Sequence, residues 1–415
     1  MVTVKISRGS GLPAPDSLGR SIARAVGFST AFWLACLANL AFFSSLHLML
    51  PVLPLYLVHL GADESVVGLS VGAFTVAAVL MRPMTGWATD QWGRKRLMLL
   101  GAAIFTVAAF SYPWLQSVAL VLALRLLHGG GIACFTTGGS TYATDVAPQQ
   151  RRGEALGIYG LFSNLAMAFG PALGGLVHQA RGFKVLFYLC AASAAAAVGF
   201  CLGLPEVTAG RRRSSRLTLV NPSAILPAAI YFTYAFSYGC LVTLLPLYCA
   251  RLQVINPGLL FSTFAVTVAL SRIPGGKLSD RAGRLAVIVP GALLVGAAML
   301  LFGRARTPLH FLLAAGLYGA GAGGVYPGTM ALTADRATGS QRGSAFGTLF
   351  AAFDLGIGAG AVTLGALAAR TGSYPLAFIT AAVVSLLGAG AALGHAHWNR
   401  KRASNVKAHG VGPSS

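Results

Sequence analysis

Acidic residues are scarce in this chain: it has ten Asp and Glu among 415 residues, against 31 Lys and Arg. Charged residues make up 10% of the sequence, whereas soluble domains carry about 25%. With 55% hydrophobic residues, a soluble fold of this length would expose far too much apolar surface. The composition therefore excludes an ordinary soluble protein and indicates one that crosses a membrane many times.

Signals of cofactor, metal and secretion are also missing. The six cysteines fall in apolar stretches without paired metal spacing, so we expect neither a disulfide framework nor a metal site. The glycine-rich run 319–324 has the spacing of a dinucleotide fingerprint, but no strand precedes it, and we expect no cofactor. The N-terminal stretch lacks an apolar signal core, which predicts no cleaved signal peptide.

Long apolar stretches dominate the sequence. A spanning helix needs about 20 apolar residues, and twelve stretches satisfy this condition. They are, approximately, 31–58, 65–88, 97–114, 118–141, 153–177, 185–204, 223–250, 258–276, 285–303, 308–333, 343–369 and 375–394. The predicted fold class is an all-α membrane protein with twelve transmembrane helices and both termini on one side.

The distribution of the net charge of +21 indicates how the chain is oriented in the membrane. On the side of the termini we count 22 Lys and Arg, and the opposite loops hold six. Cytoplasmic loops of membrane proteins carry such an excess. We therefore predict a multi-pass protein of the inner (plasma) membrane with both termini in the cytoplasm, and no nucleic-acid partner.

One charged turn occurs twice. GWATDQWGRKR, 86–96, returns as GKLSDRAGR, 276–284, and the same offset along the chain relates Arg82 to Arg272. An even number of helices per repeat keeps both turns on one side, which predicts two parallel six-helix halves. The predicted segments are a cytoplasmic tail 1–27, an N-terminal bundle 28–204, a cytoplasmic linker 205–222, a C-terminal bundle 223–397 and a cytoplasmic tail 398–415.

The repeated turn resembles the signature of the major facilitator superfamily, and the chain resembles its twelve-helix drug:proton antiporters over nearly all its length. The resemblance implies that the turn latches the cytoplasmic face shut while the cavity opens outward. The implied latch residues are Gly86, Asp90, Gly93, Arg94, Asp145, Asp280 and Arg284. The alternative is a basic turn that only sets topology.

Helix 5 carries a second motif, GIYGLFSNLAMAFGPALGG, 157–175. It resembles the antiporter signature of the same superfamily, with Ala166 where the family usually has Gly. Pro171 predicts a kink, and the glycines permit close helix approach, although plain small-residue packing is the alternative. The matching residues are Gly157, Gly170, Pro171, Gly174 and Gly175. The proline becomes Ala361 in the second half, an asymmetry typical of exporters in this family.

Arg82, Arg125, Arg272 and Asp354 lie within apolar spans, where a charge is expensive and usually functional, and two of them are assigned to proton coupling. Arg125 resembles the family's intramembrane arginine, which is implicated in proton coupling. Asp354, whose repeat partner is Asn164, is the one acid placed deep inside a span, and such carboxylates serve in proton relays. A structural role in tying helices together is the alternative for each residue.

The substrate cavity is expected between the halves near the bilayer midplane. His47, Tyr234 and Tyr238 are assigned to this cavity, with ordinary helix packing as the alternative for each.

These patterns predict a secondary active transporter, not an enzyme. It exports a small amphipathic compound, drug-like or metabolite, by proton antiport through alternating access. A proton-coupled importer of a nutrient or metabolite with the same fold is the alternative. A membrane-embedded sensor or enzyme has no haem pair, zinc helix or nucleophile elbow to support it. The expected partners are the small-molecule substrate, protons and the lipid bilayer, and we expect a monomer.

The charge bias generates a test of orientation. Single cysteines replace Ser214 and Ser373 in a background without the six native cysteines, and intact cells receive a membrane-impermeant thiol reagent. We expect position 373 to be labelled and position 214 to stay unlabelled, because the membrane shields cytoplasmic positions. Labelling of position 214 but not of position 373 would reverse the topology.

Overall fold

The described part of the computed structural model is helical. It comprises residues 27–207, 220–253, 256–337 and 342–408, with the side chains of Asp90, 342–343 and 395–408 outside the description. Helices and short connections make up these residues, and no strand occurs among them. Most of the predicted N-terminal tail and linker, and residues 409–415 of the predicted C-terminal tail, lie outside the described residues.

The helices follow the predicted order. They are α1 (Thr30–Met49, continued by the short helix Leu53–His59), α2 (Glu64–Trp92), α3 (Arg94–Ser111), α4 (Val118–Asp145), the run Arg152–Leu202 that contains α5 and α6, α7 (Ile225–Leu252), α8 (Pro257–Ala282), α9 (Leu285–Arg304), α10 (Pro308–Arg336), α11 (Arg342–Thr371) and α12 (Tyr374–Ala408). The last helix continues past 397, where the sequence predicts a tail to begin.

The run Arg152–Leu202 contains two membrane helices. At Gly182 the backbone leaves the helical region, with φ 76° and ψ −176°, which divides the run into α5 (152–181) and α6 (183–202). Its 51 residues are long enough to cross a hydrocarbon core of about 30 Å twice, at about 1.5 Å per residue. Eleven helical runs in the described residues have the length and apolarity of membrane spans. The division at Gly182 makes twelve, as predicted.

Capping residues define where several helices begin. The Asp63 carboxylate accepts a hydrogen bond from the Val66 N–H at 2.9 Å at the start of α2. The Asn256 side chain accepts from the Gly258 N–H at 2.8 Å, and Pro257 opens α8. Such caps satisfy donors that the first helical turn leaves unpaired, and proline at the first position loses no helical bond.

The two halves repeat one packing pattern. In the first half α1 packs on α5, α2 on α4, and α3 on α4 and α6. In the second half α7 packs on α11, α8 on α10, and α9 on α10 and α12. Each pairing has its counterpart six helices later, so the sequence repeat is also a structural repeat.

The halves meet along two helix pairs, α2 with α11 and α5 with α8. A Cβ added at Gly68 would overlap the Ala361 carbonyl group, and one added at Gly258 would overlap the Pro171 carbonyl group. The offset of the repeated turn relates the two glycines to each other, and it also relates Pro171 to Ala361. The two interfaces are therefore equivalent under the repeat, and each brings backbone against backbone.

One end of the bundle is closed across the halves. We call the end with the α2–α3 and α8–α9 turns the motif face, and the other end the opposite face. At the opposite face the Tyr374 hydroxyl donates to the Glu64 carboxylate at 2.6 Å. The Asn256 amide donates to the Gln179 side chain at 3.4 Å. Both bonds link one half to the other.

The halves stand apart at the motif face. Positions separated by five full turns lie on the same side of an α-helix, which has about 3.6 residues per turn. Five turns separate Gly86 from Gly68 and Gly276 from Gly258, so the members of each pair point the same way. Four interface glycines, one per helix, have no described atom within 4 Å of an added Cβ: Gly86, Gly157, Gly276 and Gly347. The space between the halves therefore opens to the motif face.

Candidate functional site

The repeated turn has the same backbone form in both halves. Gly93 ends α2 with φ 95°, and Gly283 ends α8 with φ 91°. Glycine adopts these positive values without the strain that a side chain would bring. Each glycine turns the chain directly into an arginine, Arg94 or Arg284.

Arg94 is buried beneath its turn, with 4% of its surface exposed. Its Nε donates to the Asp145 carboxylate at 3.0 Å, and its Nη1 donates to the Thr89 carbonyl at 2.8 Å. The structure thus brings together the two residues that the signature predicts as partners. The bonds tie α2, α3 and α4 of the first half to each other.

Arg284 makes the equivalent contacts in the second half. Its Nε donates to the Asp335 carboxylate at 2.7 Å, and it also pairs with Asp280 and donates to the Ser279 hydroxyl at 3.2 Å. The bonds to Asp335 and then to Asp280 raise the pKa of Arg284 above its ordinary value, so the guanidinium stays charged. Asp335 therefore joins the residues of the repeated turn.

Both arginine pairs lie within a half, so they fix each turn without joining the halves. The side chain of Asp90 lies outside the described part of the structure. Gly86 faces open space in this conformation. A latch across the motif face would form only when the halves close there, and it stays a prediction.

The glycines of the α5 motif act mainly at the opposite face. A Cβ at Gly174 would overlap the Leu48 carbonyl of α1, and one at Gly170 would crowd the Cβ of His47. Gly175 approaches Asn256, the residue that caps α8. Backbone dihedral angles stay helical through Pro171, and the kink expected there stays a prediction; the non-helical backbone at Gly182 divides α5 from α6. The motif therefore presses α5 against a helix of each half.

His47 occupies a packing position. Its Nδ1 lies 2.8 Å from the Phe43 carbonyl, and the residue is buried in the contact between α1 and α5. The packing alternative explains this environment, and a cavity role for His47 stays a prediction.

Arg125 is buried within the first half. Its Nε donates to the Ser70 carbonyl at 3.3 Å, and its guanidinium lies 4.2 Å from the centre of the Phe74 ring. His128, one turn further, has its Nδ1 3.3 Å from the Tyr112 hydroxyl. No carboxylate in the described residues pairs with Arg125, so the structure does not bring it together with Asp354.

Asp354 has a partner that the sequence interpretation missed. Arg82 of α2 reaches across the interface and places its Nε 2.8 Å and its Nη2 2.6 Å from the same oxygen, Asp354 Oδ2. The side chain of Asp354 is 14% exposed and that of Arg82 is 35% exposed. Arg82 was visible as a charge within a span and as the repeat of Arg272, and these two signals could have identified it.

The ion pair lies where the close contact between α2 and α11 ends. Towards the opposite face, a Cβ at Gly358 would overlap the Thr75 hydroxyl. Towards the motif face, Gly86 and Gly347 meet open space. Both Arg82 donors go to Oδ2, so Asp354 Oδ1 has no partner among the described residues. That oxygen is left available for a proton or a ligand.

A group of aromatic side chains in the second half lies next to Asp354. We call Tyr231, Tyr234, Tyr318, Tyr326 and Phe353 the aromatic cluster. Tyr231 lies 4.7 Å from Phe353, the neighbour of Asp354, and 5.9 Å from Tyr326, measured between ring centres. Tyr234 stacks on Tyr231 at 5.9 Å, whereas Tyr238 contacts Phe264 at 5.8 Å. The cluster joins α7, α10 and α11 beside the ion pair.

Comparisons with known proteins agree with this architecture. A sequence profile described as the Major Facilitator Superfamily matches residues 32–256 and 228–410, which confirms the predicted resemblance. The chain is 25% identical over 362 residues to the multi-drug resistance efflux pump PmrA of Streptococcus pneumoniae, covering 82% of this chain and 90% of the relative. It is 23% identical over 362 residues to the uncharacterised MFS-type transporter MJ1560 of Methanocaldococcus jannaschii, covering 81% and 92%.

Solved structures show the same fold. The human organic anion transporter MFSD10 superposes with a TM-score of 0.65 at 22% identity, over 87% of this chain and 98% of that chain. The nucleoside transporter NupG superposes with a TM-score of 0.72 at 16% identity, over 88% and 99%. These likenesses confirm the predicted fold of two six-helix repeats.

The open space at Gly347 generates a test of alternating access. We expect Gly347→Trp to fold in the present conformation but to prevent closure of the motif face, because the indole would fill the gap between the halves. Access is measured with Asn164→Cys in a cysteine-free background, by impermeant thiol labelling from each side of oriented vesicles. The variant should keep labelling from the motif face and lose labelling from the opposite face.

Gly199→Trp is the matched control, because Gly199 of α6 also has open space but lies off the interface helices. It should keep labelling from both sides. Unchanged labelling from the opposite face in Gly347→Trp would show that this position does not approach the other half.

Proposed function

We propose that this chain, which belongs to the Major Facilitator Superfamily, exports a small amphipathic compound from the cytoplasm in exchange for protons. The ion pair between Arg82 and Asp354 carries this proposal. It joins the two halves that must move relative to each other, and one of its members is a carboxylate that a proton neutralises.

A buried carboxylate pairs with arginine only while it is ionised. Protonation of Asp354 removes the attraction between the two charges and leaves the partly exposed Arg82 without its counter-ion. The ionised pair therefore stabilises the arrangement in which it forms, and here that arrangement is open at the motif face. Protonation of Asp354 removes this contribution and releases the halves.

This dependence gives the logic of exchange. When the site is empty and Asp354 is ionised, the ion pair holds the motif face open. The empty protein therefore does not change to the conformation that is open at the opposite face. A proton at Asp354, or a substrate that disturbs the pair, permits the movement that closes the motif face. Alternate occupancy by proton and substrate is antiport.

The charge bias and the known relatives support export as the direction of transport. The motif face carries the excess of Lys and Arg, which supports a cytoplasmic orientation of this face and entry of the substrate from there. PmrA is described as an efflux pump, and a Staphylococcus aureus relative, 26% identical over 216 residues, is described as the quinolone resistance protein NorA. We propose a multi-pass protein of the inner membrane that works as a monomer.

The role of Asp354 is tested in proteoliposomes with an imposed pH gradient, using a compound selected because a deletion strain is hypersensitive to it. We expect Asp354→Asn to abolish uphill transport and to keep exchange at equal pH when the substrate is saturating, because Asn retains hydrogen bonding but cannot titrate. Glu154→Gln, which removes an exposed carboxylate paired with Arg151, should transport like the wild type.

Uphill transport by Asp354→Asn at the wild-type level would remove Asp354 as the proton carrier. If the wild-type protein moves the substrate uphill in the same direction as protons, and not in the opposite direction, the importer with the same fold is favoured.

A further inference from the structure

Arg272 lies on the side of α8 that faces the other half. Residues about two turns apart lie on nearly the same side of a helix, so Arg272 continues the line of Gly258, which touches Pro171 of α5, and of the buried Ala265. The neighbours Leu270 and Ile273 are 70% and 69% exposed and mark the outer side of α8. Arg272 therefore points into the space between the halves.

Arg272 has no acidic partner within the part of the chain that the structure describes. Under the repeat it is the equivalent of Arg82, whose partner is Asp354, but the equivalent of Asp354 in α5 is Asn164. In the described residues no carboxylate pairs with Arg272, and its guanidinium instead lies 4.9 Å from the centre of the Tyr326 ring. Charged residues within spans that face a cavity usually mark a substrate or ion pathway, and Arg272 is partly exposed in the space between the halves.

The rings between Arg272 and Asp354 form an apolar surface. Tyr326 lies beneath Arg272, Phe353 precedes Asp354, and Tyr231 contacts both rings. Tyr326 and Phe353 are partly exposed, whereas Tyr231 is buried behind them. The repeat equivalents of Tyr326 and Phe353 in the first half are Thr136 and Ser163, so the aromatic surface belongs to one half alone.

We propose that Arg272, the aromatic cluster and Asp354 bind an aromatic zwitterion. The acidic group of the ligand pairs with Arg272, and its rings lie on Tyr326 and Phe353. Its ammonium group takes the free Oδ1 of Asp354 and so weakens the attraction between this carboxylate and Arg82. This assignment deepens the proposed export function and rests on it. A ligand ammonium and a proton compete for the same oxygen, which is what antiport requires.

Simple ions fit the site less well. A ligand with only a positive charge leaves Arg272 unpaired and is repelled by it. A ligand with only a negative charge pairs with Arg272 but binds best when Asp354 is protonated, which couples substrate and proton in the same direction. The pair of opposite charges separated by rings satisfies both ends of the site.

The test compares three probes of one shape in equilibrium binding to the purified full-length protein in detergent. They are 6-(aminomethyl)-2-naphthoic acid, its carboxamide, which lacks the acid, and 6-methyl-2-naphthoic acid, which lacks the amine. We expect the wild type to bind the zwitterion roughly tenfold or more tightly than either relative, the usual effect of one charge-assisted contact. Equal affinity for the zwitterion and the carboxamide would overturn the proposal without any variant.

Variants then assign the acid contact. Arg272→Gln should bind the zwitterion and the carboxamide equally while keeping the preference over the methyl compound, and Arg272→Lys should keep part of the acid preference. Arg281→Gln, which removes an exposed arginine of the same helix, is the control and should bind like the wild type. An equal loss in both Gln variants would contradict a site at Arg272.

These measurements use no gradient, so they separate the site from the transport cycle. If the acid preference depends on Arg272 while Asp354→Asn still transports uphill, proton antiport through Asp354 fails and the binding site stands. If Asp354→Asn loses uphill transport and the wild type shows no acid preference, the binding site fails and antiport stands.

Discussion

A charge between membrane helices has to be paired or to face a cavity, and the two equivalent interfaces of this protein meet that constraint differently. At the α2–α11 interface, Arg82 is paired with Asp354. At the α5–α8 interface the acid is replaced by Asn164, and Arg272 is left over the ring of Tyr326. We propose that a proton operates the pair at the first interface as a switch. At the second interface, no carboxylate among the described residues pairs with Arg272. The asymmetry arises from single substitutions within a repeated frame.

The rest of the fold determines where that switch acts. Glycines at the opposite-face ends bring the interface helices into backbone contact, whereas their counterparts near the motif face meet open space. Arg82 and Asp354 lie at the boundary between the close-packed part of the interface and the open part. An ion pair at such a boundary can change the angle between the two halves. The pairs made by Arg94 and Arg284 instead hold each motif turn within its own half.

The sequence predicted the fold well because its signals are periodic and repeated. Spans follow from hydropathy, and the constant offset between the repeated motifs predicted the two halves. Arg94 and Asp145 were predicted as partners because the signature places them together. The partner of Asp354 was missed, since Arg82 is distant in the chain and hydropathy carries no information on how two halves dock. The boundary between helices 5 and 6 was predicted between the spans 153–177 and 185–204, and Gly182 forms it, whereas the kink expected at Pro171 stays a prediction.

The central claim is that protonation of Asp354 releases a pair that holds the motif face open. Spin labels at Gln150 and Lys277, exposed positions at the motif face of the two halves, report this directly through their distance distribution. On acidification the wild type should exchange a long distance for a shorter one, because the carboxylate loses its charge. Asp354→Asn should contain the short distance at every pH and should not respond. The same pH response in wild type and variant, or none in the wild type, would contradict the account.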